Sequence, residues 1–367
     1  MTRMPRRILF VSHINLKNPV RGTPIRLYEV LKQIKTRHEL TVCAADVNDD
    51  LQPLFVPYPP GKGWSKLMQF RKLVKDRRIE IVFATENSIK LPIILKWFTG
   101  VKICMDVHGL QAEELFFRGF IGPWKRIWIT SLYRMYFAWY DLLFVVSDKL
   151  KSFYRMSNKK IVTVWGGVNL ETFYRPRKAS NSSVLTIGYT GNARSYQGLD
   201  HLFAAMKVIK ERNLFAFRLQ LILSGDEDEV KRSLMQSGLT EQTSIRMSVP
   251  HREMGDALQE ADVLVIPRPS VPMTEYAYPS KLSEYLATGV PVVITDVGPT
   301  TELFAQEKPC IVIPPHDVEA LVAALGRVAK MSAEERNAMG EASVAFARKH
   351  LTWDAVGEKI NHALDQL

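Results

Sequence analysis

The stretch YAYPSKLSEYLATGVPVV, residues 276–293, sets Lys281 and Glu284 three apart at the start of a short helical pattern. Three apart means one face of one turn. Pro279 ends the loop before it, because the residue ahead of a proline is driven from helical geometry. Ser280 is the expected N-cap, Gly289 the left-handed stop, and residues 290–294 a buried strand. A helix start exposes unpaired backbone N–H groups and the positive end of the peptide dipole. With a cation and a carboxylate beside it, such a start suits a nucleoside diphosphate, phosphates toward Lys281 and ribose toward Glu284. The same pair also suits a solvated intrahelical salt bridge, and these residues alone do not choose.

Other stretches carry a similar double meaning. In NPVRGTPIRLYEVLKQI (18–34), Gly22 precedes Thr23, an expected N-cap, and Pro24, suited to the first helical position. That is a second helix start whose amides could meet a phosphate, or an ordinary strand-to-helix turn. In MDVHGLQAEE (105–114), His108 closes a strand beside Gly109, where a histidine can serve a reaction or hold a structure. In YTGNARSYQGLDHL (189–202), the turn at Gly191 brings Arg194 near a helix start, as a diphosphate clamp or a solvent-facing cation. SGDEDE (224–229) offers Asp226 and Asp228 at a spacing open to a divalent ion. An acidic helix start that complements the dipole explains them without one, so no metal site is expected.

The elements that must position these residues are short strands. Twelve β-branched runs alternate with amphipathic stretches, from RILFVSH (7–13) to KIVTVWGG (160–167) and from VLTIGYTG (184–191) to CIVIPP (310–315). Strand and helix in alternation mean parallel sheets. Six runs lie on each side of the polar linker YRPRKASNSS (174–183), which predicts an α/β chain of two doubly wound, Rossmann-like domains, 1–175 and 176–349. A last helix over about 350–367 has no strand after it and is free to pack back on the first domain. Ligands of such sheets bind beyond the carboxyl ends of the strands, so the expected site is a central cleft faced by both domains.

Cys43, Cys104 and Cys310 each sit in or beside an apolar run, which excludes a disulfide framework and fits buried thiols in a reducing compartment. No apolar run reaches the ~18 residues of a membrane span. The start, MTRMPRRILFVSHINLKN, has basic residues ahead of a short apolar run that contains His13 and leads to no small-residue cleavage site. It reads as the first strand, and a cytoplasmic location follows as the expectation, with the inner membrane face open to it.

Charge is uneven. Residues 1–180 hold 31 Lys and Arg against 14 Asp and Glu, a net of +17, and the remainder holds 18 against 24. Such a half implies an anionic partner: a phosphorylated substrate, an anionic membrane surface or nucleic acid. No nucleic-acid motif accompanies the charge, so nucleic acid is not expected. Within ELFFRGFIGPWKRIWITSLYRMYFAWY (114–140), Trp124, Ile127, Trp128, Leu132, Met135 and Trp139 fall near one helical face, with Lys125, Arg126 and Arg134 interspersed. That is a core helix of a large domain or an interfacial helix lying on anionic lipid. The basic run KLMQFRKLVKDRR (66–78) adds to the second possibility.

Seven motifs stand in order: RGTP (21–24), DVHG (106–109), VVSDKLKSFY through WGGVNLETFYRP (145–176), GYTGNARSYQGLDHL (188–202), LQLILSG (219–225), MGDALQEADVLVIPRP (254–269) and YPSKLSEYLATGVPVVITDVG (278–298). Over nearly the whole chain this set resembles the GT-B retaining glycosyltransferases, specifically family 4. The resemblance implies that Glu284 accepts hydrogen bonds from the nucleotide ribose and that Ser280, Lys281 and Leu282 lie in the donor diphosphate loop. It implies that Arg194, beside Gly191, grips the diphosphate, that Gly22 and Thr23 form the first loop, and that His108 lies beside the transferred sugar. The nucleobase would pack around Val249, Pro250 and Met254. Two positions depart from the family. Its second diphosphate cation falls on Gln197, with Lys281 the candidate replacement; its sugar-binding glutamate falls on Tyr276, with Glu275 one place away.

The expected activity is retaining, metal-independent transfer of a sugar from a UDP- or GDP-linked donor to a glycan or lipid-linked acceptor, in cell-surface polysaccharide or glycolipid synthesis. No cofactor beyond the donor substrate is expected. A sugar-nucleotide epimerase or hydrolase of the same fold, and a non-catalytic nucleotide-sugar-binding subunit, are the rival readings.

Overall fold

The alternating runs become two parallel sheets in the computed structural model, which describes residues 4–17, 19, 22–61, 63–158, 160–176, 182–225 and 227–367. The first unit, Met1–Gly166 with Tyr276–Tyr278 and Trp353–Leu367, holds β1 (Arg7–Val11), β2 (Asn15–Leu16), β3 (Glu39–Ala44), β4 (Asp46–Val47), β5 (Phe55–Pro57), β6 (Ile81–Thr85), β7 (Lys102–Val107), β8 (Leu142–Val145) and β9 (Ile161–Thr163). Its main sheet is seven-stranded, ordered β5-β3-β1-β6-β7-β8-β9, and β2 pairs with β4. In β1, Ile8 and Phe10 join one apolar cluster while Leu9 and Val11 join another. A strand buried on both faces needs helices on both sides, which is why its sequence is continuously apolar.

Three strands lie outside the expected runs. β5 is three residues long, ends in Pro57 and takes the sheet edge, where a missing N–H costs no ladder bond. β2 and β4 are two residues each, too short to leave a pattern.

The second unit, Gly167–Glu275 with Pro279–Thr352, holds β10 (Leu185–Gly191), β11 (Phe217–Leu223), β12 (Thr243–Met247), β13 (Val263–Ile266), β14 (Val292–Thr295) and β15 (Ile311–Ile313). Its six-stranded order is β12-β11-β10-β13-β14-β15. Chain direction across the sheet reverses between β10 and β13 here, and between β1 and β6 in the first unit. Those reversals are where a doubly wound sheet leaves a ligand crevice.

The division falls at Gly166 and Gly167, ahead of the polar linker, whose residues 177–181 lie outside the described ones. The helix Leu170–Phe173 packs in the second unit: a Cβ on Gly255 would stand 2.3 Å from the Thr172 carbonyl oxygen. The terminal helix Trp353–Asp365 lies in the first unit against the helix Gly22–Lys35, where Asn361 donates to the Gln33 carbonyl at 3.0 Å and Arg37 pairs with Asp365 at 2.6 Å. The three cysteines are free and buried, and burial pushes the Cys43 and Cys310 thiols up to about 12.

Candidate functional site

In the second unit the crevice forms where β10 and β13 part. β10 ends in Gly191, whose φ of +144° an L side chain rarely adopts. A Cβ there would meet the Lys281 ammonium at 2.7 Å. Lys281 opens the helix Lys281–Thr288 and is 9% exposed. Its Nζ sits 4.2 Å from the centre of the Tyr189 ring and has no hydrogen-bond partner. Burial first, then the neighbouring Arg268 guanidinium, pull this ammonium down to about 7, with Glu284 opposing. Arg268 follows β13 and is buried as well; burial brings it down to about 10 against the pull of Tyr196, Tyr189 and Glu275. An unpartnered ammonium held out of water at the mouth of a parallel sheet, as at Lys281, is costly unless an anion arrives.

Glu284 is the half-buried neighbour one turn on. Its partner is His251, with Nε2 to Oε1 at 3.2 Å, rather than Lys281. The intrahelical salt bridge that spacing alone allows is therefore not what forms. His251 follows β12 and meets Phe173 edge-on at 5.3 Å. The turn before it bends at Ser248, with φ of +54°. Val249 is half-buried and Pro250 exposed, while Met254 lies near β10, its Sδ 3.8 Å from the Thr190 hydroxyl. The candidate nucleobase segment and the candidate ribose carboxylate are thus joined through His251.

Two expected details change, at Ser280 and Leu282, and the remaining candidates take the following places. Ser280 is already helical, with φ −51° and ψ −36°, and its exposed side chain caps nothing. The Leu282 side chain is in the core and its amide donates to the Pro279 carbonyl at 2.8 Å, so neither is free for a phosphate. Arg194 is exposed; its amide donates to Asn192 Oδ1 at 3.2 Å, and its guanidinium makes no hydrogen bond or ion pair among the described residues. Gln197 buries Oε1 without a partner. Gly198, after it, takes a φ of +78° that brings it too close to the Pro267 carbonyl for any Cβ. Glu275 remains with the second unit, accepting from the Ser270 hydroxyl at 2.6 Å and from the Gly298 amide at 3.4 Å. Tyr276 belongs to the first unit, where its carbonyl accepts from Ser147 and its ring meets Phe153 at 5.4 Å.

In the first unit, β7 carries Asp106, and His108 follows the strand's last residue, two positions on and so on the same side. His108 Nε2 lies 2.8 Å from Asp106 Oδ2. Arg26 grips the same carboxylate with two bonds, at 2.9 and 3.0 Å, and donates onward to the carbonyls of Val164 and Trp165. Burial works to raise the Asp106 carboxyl, but Arg26 and then His108 outweigh it and hold it well below the usual range. The imidazole is fixed in orientation by a permanently charged partner. Just after β6, Glu86 has Oε1 sealed from solvent without a partner; burial, then Asp106 and Glu114, push its carboxyl up to about 8, against a hydrogen bond from the His108 amide. Gly22 and Thr23 are exposed at the start of a 14-residue helix; Gly22 is its first residue, so Thr23 lies inside it and not at the cap.

Arg26, Asp106, Arg268, His251 and Glu86 escaped the sequence reading. Asp106 had a signal, its alternation with His108, and Arg268 had another, its place at the end of a strand beside the topological reversal. His251 had none, being 33 residues from Glu284. Among the described residues no cluster of three or more His, Cys, Asp or Glu could hold a metal. Asp226 lies outside them; Asp228 is exposed near the start of the helix Glu227–Ser237. Among the described residues no helix is long and apolar enough to cross a membrane.

The chain resembles known proteins over both units. Residues 171–345 match the family model for glycosyl transferases group 1, and residues 20–172 that for glycosyltransferase family 4. The colanic acid biosynthesis glycosyltransferase WcaL of Salmonella typhimurium is 28% identical over 247 residues, 65% of this chain. Its Escherichia coli counterpart is 26% identical over 245. Each match spans 59% of that relative's own length. Among solved structures, a glycosyltransferase from Rickettsia africae superposes with a TM-score of 0.75 at 15% identity, covering 99% of this chain and 98% of that one. HepE from Anabaena, in complex with UDP and glucose, gives 0.74 at 12% identity, covering 99% and 100%. WaaG, a glycosyltransferase involved in lipopolysaccharide biosynthesis, gives 0.67 at 15%, covering 96% and 98%. At these identities the structures speak for the fold. With the two family models running from residue 20 to residue 345 over two doubly wound units, the chain belongs to the GT-B glycosyltransferases, a family 4 domain followed by a group 1 domain.

Proposed function

We propose that this protein is a retaining glycosyltransferase that moves a sugar from a nucleotide-sugar donor to a glycan or lipid-linked acceptor in cell-surface polysaccharide or glycolipid synthesis. The observation that carries the reading is the buried, unpartnered Lys281 ammonium beside Arg268 at the mouth of the second sheet. A donor diphosphate supplies the partner that the Lys281 ammonium lacks. Glu284 then accepts from the ribose hydroxyls, and the segment around Val249, Pro250 and Met254 lines the base.

When the glycosidic bond breaks, negative charge grows on the departing diphosphate, and Lys281 and Arg268 stabilise it where it develops. The acceptor hydroxyl attacks from the face the diphosphate leaves, which retains the anomeric configuration. Its proton passes to a diphosphate oxygen, so no enzyme base is required. The two cations take the role that a divalent ion plays elsewhere, so the reaction is metal-independent. On the first unit, His108 is held rigid by Asp106, as a group that directs one hydrogen bond to a sugar must be. The names of WcaL and WaaG support polysaccharide or lipopolysaccharide chemistry, and the UDP in the HepE complex makes UDP-sugars the first donors to try.

The test incubates the protein with UDP- and GDP-sugars, with and without membrane extract, and follows label into product. Transfer only when extract is present supports the reading. Donor turnover without extract would mark a hydrolase or epimerase, and donor binding without turnover a non-catalytic subunit.

A further inference from the structure

The geometry points to a membrane-docking face on the first unit, built from the helix Pro123–Phe137 and the helices Gly63–Asp76 and Lys90–Thr99, whose partner is an anionic lipid bilayer. Of the fifteen residues of Pro123–Phe137 only Phe137 is buried. Phe137 meets Tyr133 at 5.7 Å and Tyr154 at 4.7 Å on the core side. At about 100° per residue, Trp124, Trp128 and Met135 fall within roughly 40° of one another on the opposite side. Trp124 is 84% and Trp128 61% exposed. The aromatic stripe thus points away from the core, and the core-helix reading of residues 114–140 does not hold.

The stripe does not stop with its helix. Trp139 follows it and meets the exposed Trp97 edge-on at 5.2 Å. Phe98, next to Trp97, meets the exposed Trp64 at 5.7 Å. Two ring contacts, Trp139 with Trp97 and Phe98 with Trp64, thus bring exposed aromatic side chains of the helices Lys90–Thr99 and Gly63–Asp76 next to the segment that follows Pro123–Phe137. Cations border it: Lys125 and Arg134 flank the stripe on its own helix, Lys72 and Lys75 are exposed on Gly63–Asp76, and Arg71 lies over Phe98 at 5.9 Å.

Exposed tryptophans bordered by lysine and arginine suit the headgroup region, where rings sit at the apolar boundary and cations meet lipid phosphates. A second copy of the chain suits it poorly. A two-fold contact sets a patch against itself, and here that would oppose like charges. The docking goes beyond the transfer reading and does not depend on which sugar or acceptor is used.

The test is co-sedimentation of the whole protein with sucrose-loaded vesicles, without donor or acceptor, so its failure and that of the transfer reading are separate. Vesicles of phosphatidylglycerol and phosphatidylethanolamine are expected to bind the protein, and phosphatidylcholine vesicles to bind it far less. Binding should fall as salt rises from about 0.1 M to about 1 M, which shortens the screening length from about 10 Å to about 3 Å. Trp124→Ser with Trp128→Ser should weaken partitioning at least about tenfold, with circular dichroism unchanged. Brominated lipid should quench the wild-type tryptophan emission. Indifference to lipid charge, or a double variant that binds as the wild type does, overturns the proposal. So does a wild-type dimer in solution that the double variant splits, or RNA binding that the double variant loses while vesicles bind neither form.

Discussion

If the Lys281 ammonium meets the donor diphosphate, donor binding must take up a proton at and above neutral pH. In the unliganded fold burial and Arg268 hold this group at about 7, against an ordinary value of 10.5. Pairing with a diphosphate restores the ordinary value. Uptake is then about 0.1 proton at pH 6 and about 0.9 at pH 8, and the apparent dissociation constant weakens about tenfold between them. The sign is fixed: the bound state holds more protons, so affinity falls as pH rises. The unliganded fold behaves oppositely, gaining stability from about pH 7 toward 10.5, because there the unfolded chain keeps a proton the folded chain has lost. The assay is calorimetric titration with a nucleotide sugar, whose esterified diphosphate does not itself titrate over this range. Repeating it in phosphate and in Tris, which differ in ionisation enthalpy, counts the protons. Lys281→Met should abolish both the uptake and the pH dependence, whereas His251→Gln should leave the uptake in place. Equal enthalpies in the two buffers at pH 8, with an unchanging dissociation constant, would refute the reasoning and make Lys281 a buried structural cation.

Three further outcomes are expected. Glu284→Gln keeps shape but removes the charge that accepts from ribose; at about 1.5–3 kcal/mol per charge-assisted bond, donor affinity should drop at least about tenfold. Unchanged affinity by the same titration would leave Glu284 as a partner of His251 only. Arg26→Met leaves the buried Asp106 carboxylate with His108 alone, which costs up to about 3–5 kcal/mol, read as a lowered denaturation midpoint. Adding Asp106→Asn should recover much of that loss, and an unchanged midpoint in the single variant would contradict the buried pair. Transfer should survive EDTA and the Asp228→Asn substitution; loss on chelation with rescue by manganese would overturn the metal-free mechanism.

Much of this was legible in the chain itself. A strand buried on both faces must be continuously apolar, so the twelve runs and their alternation with helices could be read directly, as could the glycine stop at residue 289, where φ is +74°. Short edge strands such as β5 could not, because three residues ending in proline carry no period. The site divides in the same way. Spacing put Lys281 and Glu284 on one face of one turn, and there its reach ended. It could not say that the ammonium would be buried against Tyr189, or that the carboxylate would turn to His251. Nor could it join Arg26 to Asp106 across 80 positions, or tell that the tryptophans of 124–139 face away from the core. Periodicity sorts residues onto faces, but burial and charge pairing depend on what the rest of the fold brings against each face. Those partners come from strands and helices remote in sequence, so only the tertiary structure decides them.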